Sequence, residues 1–133
     1  MERGPSFETG EAILRQLLGP DLLAKLDAAA ADPISREFGL YAREAAFGMI
    51  WARSALDFKT RALICVVSDT ALHVWDTLRL HLRVALNVGW TEDELGEALL
   101  QMAVYAGQPT AREALGIARE VFAEVWADRS DQS

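Results

Sequence analysis

Cysteine occurs once in this chain of 133 residues, at Cys65, which excludes an intrachain disulfide and any metal site built from several thiolates. Histidine is almost as scarce: His73 and His81 are the only two residues of the type that ordinarily titrates near neutrality. No carboxylate sits at a matching inward position on their helix, so no metal ion is expected. A glycine-rich loop of the kind that cradles phosphate is missing. Long hydrophobic runs are missing too, because Arg, Lys, Asp or Glu interrupts every stretch before the roughly 18–20 residues that a membrane span needs. Positive charge is the minority sign, with 13 Lys and Arg against 20 Asp and Glu for a net charge of −7. In the absence of a local basic patch a polyanion is repelled, so neither nucleic acid nor membrane is expected as a partner. The first residues, Met1-Glu2-Arg3-Gly4-Pro5-Ser6-Phe7-Glu8, lack the basic-then-apolar order of an export signal, and the expected location is cytoplasmic.

Apolar residues are what the chain has in plenty, 51% against 25% charged, enough to fold one ordinary domain over residues 1–133, with a polar, frayed tail from Asp128. Helical periodicity and helix stop signals run through it, and the predicted fold class is all-α, six or seven helices. The first helix spans about Glu8–Leu18, with Ile13, Leu14, Leu17 and Leu18 on one face, and stops at Gly19-Pro20. A second, Asp21–Ala31, ends against Asp32-Pro33, since the residue before proline is pushed out of helical geometry. The third, Ser35–Trp51, carries Phe38, Tyr41, Ala45 and Met49 at the spacing of a buried stripe. Asp57 is a good N-cap for a fourth helix to Ala71; its apolar run Ala62–Val67 reads as strand by propensity and as helix by the length of the surrounding pattern. The fifth, Val74–Val88, closes at Gly89. A sixth opens on Thr91-Glu92-Asp93-Glu94, a capping box, and runs to Ala106; after Gly107-Gln108-Pro109 the last covers Thr110–Ala127. Helices that are apolar on more than one side need partners, and the fourth helix and the Leu99–Tyr105 segment are the expected surfaces of a homo-oligomer.

Chemistry points first to His81. It repeats with Val74, Leu78, Leu82, Ala85 and Val88 at helical spacing, which puts the imidazole on the apolar stripe. Two readings stand: a core or interface histidine satisfied by hydrogen bonds, or a general acid and electrostatic stabiliser at the rim of a pocket. Arg61, four residues after Asp57, is either an ordinary helix-surface ion pair or, turned inward, a fork for a substrate carboxylate. Tyr105 reads as a core residue whose hydroxyl needs a partner, or as a neutral hydrogen-bond donor in a site. Cys65 is read as an inert core thiol, since burial suppresses the thiolate. Trp51, Trp75, Trp90 and Trp126 read as packing anchors, and His73 as a surface or junction residue.

The segments Leu78-Arg79-Leu80-His81-Leu82-Arg83-Val84-Ala85-Leu86-Asn87-Val88-Gly89, Thr91-Glu92-Asp93-Glu94-Leu95-Gly96-Glu97 and Tyr105-Ala106-Gly107-Gln108-Pro109 resemble the carboxymuconolactone decarboxylase family. The resemblance extends upstream through Phe47-Gly48-Met49-Ile50-Trp51 and Leu56-Asp57-Phe58-Lys59-Thr60-Arg61. It implies an all-α bundle of the alkylhydroperoxidase type, assembled as a trimer or hexamer with pockets at subunit contacts, and a small-molecule substrate. The implied enzyme is a carbon–carbon lyase of aromatic-compound breakdown that needs no cofactor. It acts on a small unsaturated lactone or related carboxylic acid by stabilising an enolate and returning a proton. Catalytic roles fall on His81, Arg61 and Tyr105, and substrate-binding roles on Met49, Trp51, Thr77 and Leu78. The related peroxidase branch carries Cys-x-x-Cys-x-x-x-His; here Val74 and Thr77 occupy the cysteine positions, so thiol-based peroxide reduction is not expected. Family decarboxylases usually place glutamates where this chain has Thr77 and Met49. Isomerisation or ring opening of another enolisable molecule, and a non-catalytic oligomeric scaffold, are the alternatives.

Overall fold

The computed structural model describes residues 1–132 and is all-α. Among the described residues there are seven α-helices and one π-helix, and no strand. They cluster into two compact units, Met1–Asp57 and the part from Phe58 onward.

The first unit holds α1 (Phe7–Leu18), α2 (Pro20–Ala29), α3 (Pro33–Tyr41) and the π-helix (Ala42–Trp51) that continues α3. The punctuation follows the expected chemistry. Gly19, at φ 81°, closes α1 in a conformation that only glycine adopts without strain, and Pro20 opens α2 at the position where its missing N–H is harmless. Asp32 caps α3 by accepting from the Ile34 and Ser35 N–H groups at 3.1 and 3.0 Å. Phe7, Ile13, Leu14, Leu17, Leu18 and Leu23 form the buried core, and Ile13, Leu14, Leu17 and Leu18 among them are the face that the periodicity of the first helix predicts.

The third predicted helix differs from expectation. Its stripe does not face a core within the chain: Phe38 is 68% exposed, Tyr41 50% and Met49 59%. The face that packs on α1 is the one bearing Arg43 and Gly48, because two glycines let the backbones touch. A Cβ on Gly10 would lie 1.8 Å from the Arg43 carbonyl oxygen, and one on Gly48 2.3 Å from that of Ser6. Arg43 then fixes the crossing. Its Nε donates to Glu11, its Nη2 to both Asp27 carboxylate oxygens at 2.8 and 2.9 Å, and its Nη1 to the Gly39 carbonyl at 3.3 Å. Beside it the Glu44 carboxylate accepts from the Gly4 and Ser6 N–H groups at 3.0 and 2.9 Å, tying down the segment ahead of α1.

The second unit contains α4 (Phe58–Leu72), α5 (Trp75–Asn87), α6 (Glu92–Tyr105) and α7 (Gln108–Asp131). The ambiguous run Ala62–Val67 is helical, with Ala62 and Val66 fully buried. Leu78, Leu82 and Ala85 of α5, Leu95 and Leu99 of α6, and Ala114 and Val121 of α7 complete the core. The capping box is present: Thr91 Oγ1 accepts from Glu94 N–H at 3.1 Å, and the Glu94 carboxylate accepts from Thr91 N–H at 3.0 Å. On the wet side of α5, Arg79 pairs with Glu120 at 2.5 Å, and Arg83 with Glu124 at 3.1 Å and Asp128 at 3.2 Å, all on an α7 that runs longer than predicted. His73 ends α4 at a left-handed φ of 58°, shares a 2.9 Å hydrogen bond with the Thr110 hydroxyl and stacks on Trp75. It is the junction residue expected of it. Trp90 anchors the start of α4 through its Nε1, 2.7 Å from the Lys59 carbonyl. Trp126, read as a packing anchor, is instead 65% exposed, its Nε1 donating to Glu92 at 3.1 Å.

Arg43 carries the sharpest stability prediction for the first unit. Arg43→Met keeps the apolar stem but leaves Glu11 with Arg15 alone, at 3.4 Å, and Asp27 to solvent, and is expected to cost about 1–3 kcal/mol in urea denaturation. A cost below the resolution of that measurement would mean that the glycine contacts alone hold the crossing.

Candidate active site

On α4, Arg61, Cys65 and Asp69 follow one another at intervals of four and share one side of the helix. On α5, Thr77 and His81 are related in the same way, with the fully buried Leu78 at their flank. Packing of α4 against α5 brings the two rows together at one point. His81 Nδ1 lies 2.5 Å from Asp69 Oδ2, within hydrogen-bond reach. Both side chains are largely removed from water, 21% exposed for His81 and 12% for Asp69.

Asp69 is the site residue that sequence reasoning missed. It sits between apolar turns and is buried, yet a carboxylate costs several kcal/mol to desolvate without a partner. That cost was the available signal: an aspartate on the inner side of an apolar helix demands a donor from another element. Its neighbour Thr70 is not that donor, since its hydroxyl is spent on the Val66 carbonyl at 2.8 Å.

Cys65 stands one turn before Asp69 and is half-buried. Burial, and secondarily the negative charge of Asp69, push its thiol up to about 11. The reading of an inert thiol agrees with that direction. Arg61 is half-buried at the first turn of α4. Tyr105, by contrast, is 78% exposed at the last residue of α6, so within one chain it is not a core residue: Leu95 and Leu99 take the inner side of that helix and leave Leu100, Val104 and Tyr105 outside. Met49 and Trp51 belong to the first unit, at the end of the π-helix, where Trp51 is half-buried with its ring 5.5 Å from that of Phe47. The second unit thus joins His81 to an aspartate, with Thr77 and Leu78 beside it.

Open clefts among the described residues include the following two. One of about 510 Å³ lies in the first unit around Glu11, Asp27, Arg36 and Arg43; the other, about 330 Å³, runs between α6 and α7 past Leu100, Ala103, Arg112 and Arg119. His81 lines neither. In the first, the Arg43 guanidinium is spent on Glu11 and Asp27.

Residues 36–120 match the sequence profile of the carboxymuconolactone decarboxylase family. The chain belongs to that family. It is 37% identical over 91 residues to the 4-carboxymuconolactone decarboxylase of Acinetobacter baylyi, covering 68% of each chain. It is 33% identical over 116 residues to the nitrosuccinic acid decarboxylase of Metarhizium robertsii, covering 87% of this chain and 80% of the relative. Every site candidate of this family member, Asp69 included, falls within the matched segment.

The Cys65 environment yields a pH prediction with a definite sign. A thiol at about 11 in the folded chain and near 9.0 when unfolded contributes stability that is whole below pH 9 and fades as pH rises toward 11. The difference in unfolding free energy between the native chain and Cys65→Ala is therefore expected to shrink across that window in denaturant titrations. Alkylation of Cys65 at pH 8 should be far slower in the folded than in the unfolded chain.

Proposed function

We propose that this protein is a decarboxylase for a small carboxylic acid whose departing carboxylate neighbours an electron-withdrawing group. A carboxymuconolactone and a nitrosuccinate make the same chemical demand. The bond between the carboxylate and its carbon breaks, CO₂ leaves, and the electron pair passes to oxygen, of an unsaturated lactone in one and of a nitro group in the other. A proton must then return to carbon.

The observation that carries this reading is the placement of His81, a mostly buried imidazole whose ring is held from one edge, on a helix within the segment that matches a decarboxylase family. In its protonated form it delivers a proton to the new carbanion and recovers one from water, so the balance closes without an oxidant or a reductant. Thr77 stands beside the ring with the fully buried Leu78 at its flank, the Arg61 guanidinium anchors a substrate carboxylate, and the Tyr105 hydroxyl supplies a further donor. Apolar surroundings favour a product that has lost its charged group over a substrate that keeps it.

The working form is a homo-oligomer, trimer or hexamer, in which a neighbouring copy closes the site. Ile64 at 48%, Leu72 at 73% and Val104 at 79% exposure support it, since these residues lie on the surfaces expected to be subunit contacts. Light scattering on the purified protein is expected to give three or six times the chain mass; a monomer at micromolar concentration contradicts the assembled site.

Turnover is tested by offering carboxymuconolactone and nitrosuccinate separately and measuring CO₂ release. At least one acid should be decarboxylated, and His81→Gln should lower the rate about 100-fold or more while helical content stays unchanged. Equal CO₂ release from native and His81→Gln protein removes His81 from the reaction, and no release from either acid removes the decarboxylase reading.

A further inference from the structure

We infer that Asp69 is the positioning residue of the site: it holds the proton of His81 on Nδ1 and thereby makes Nε2 the nitrogen that faces the substrate. The kinetic part of this inference rests on the decarboxylase reading above; the structural part does not.

An imidazole has two edges, and its chemistry depends on which one is occupied. Here the Nδ1 edge meets a carboxylate oxygen at 2.5 Å. An ionised carboxylate only accepts, so Nδ1 donates whether the ring is neutral or cationic. In the neutral ring the lone pair then lies on Nε2, and in the cation the transferable proton lies there. Two further observations support the pairing. Ala62 and Val66 of α4 and Leu78 and Leu82 of α5 are fully buried, so the helices that carry the pair are well packed. Cys65, the other titratable group one turn along α4, stays a neutral thiol and adds no second negative charge to compete for the imidazole.

Packing alone gives no reason to keep the pair. A buried ion or hydrogen-bonded charged pair is often replaceable by apolar side chains with no loss of stability. Retaining an aspartate inside an apolar helix makes physical sense when the orientation and tautomer of its partner matter, as in hydrolytic triads where a buried aspartate sets the histidine.

The test reads the tautomer directly. The chain has two histidines, so nitrogen-15 imidazole spectra contain two ring systems, and His73→Asn, which suits the left-handed backbone at that position, assigns them. The native protein is expected to show neutral His81 with the proton on Nδ1. In Asp69→Asn the amide can present its N–H to the ring, and the proton is expected to move to Nε2. With an acid that the native enzyme turns over, Asp69→Asn should lower kcat about 10²–10⁴-fold and change KM less than about threefold, and Asp69→Glu should restore part of the loss. A native spectrum with the proton on Nε2 overturns the inference by itself, even if Asp69→Asn fails to fold. So does an unchanged tautomer in Asp69→Asn, or an unchanged kcat. Because the spectra need no substrate, failure of the decarboxylase reading and failure of the Asp69 assignment give different results.

Discussion

A carboxylate taken out of water must be met by a donor, and at Asp69 that requirement links two helices at one point. The aspartate is buried on α4, and the group that answers it is the His81 ring on α5. The hydrophobic contacts of Ala62, Val66, Leu78 and Leu82 press the helices together but are indifferent to small slides along the axis. A hydrogen bond of 2.5 Å is not. The non-directional term therefore supplies cohesion, while the polar pair selects the register in which a titratable ring keeps one defined edge.

The side chains one turn before Asp69 and one turn before His81 are both uncharged. The Cys65 thiol is kept protonated by burial and by the same aspartate, and the Thr77 hydroxyl, one turn before His81, carries no charge. One negative charge thus serves the ring from behind, and none stands beside it on α5.

Much of the fold was legible because its signals are local. Gly19-Pro20, Asp32-Pro33, Gly89 and the Thr91–Glu94 box each act within one turn of chain, and each does in the structure what its chemistry predicts. His81 was legible because periodicity placed it among Leu78, Leu82 and Ala85. Its partner was not, since the run from Ala62 to Val67 drew attention as an apolar block and the pairing spans 12 residues and two helices. The third helix misled for a related reason. Spacing identifies an apolar stripe but not which stripe meets a neighbour, and here Gly10 and Gly48 gave the contact to the opposite side, leaving Phe38 and Met49 outward. Tyr105 shows the same gap between pattern and burial at the end of α6.

The change from α-helix to π-helix at Ala42 has a consequence of its own. A π-turn holds about one residue more than an α-turn, so the stretch to Trp51 absorbs chain length as well as side-chain identity. Losing a single amino acid from such a turn would let it close as an α-turn over the same full rotation, so the chain beyond the cut would keep its direction. Met49 and Trp51 would then hold their aim although the stretch had shortened. In an ordinary α-helix the same loss would turn everything after it by about 100° around the axis.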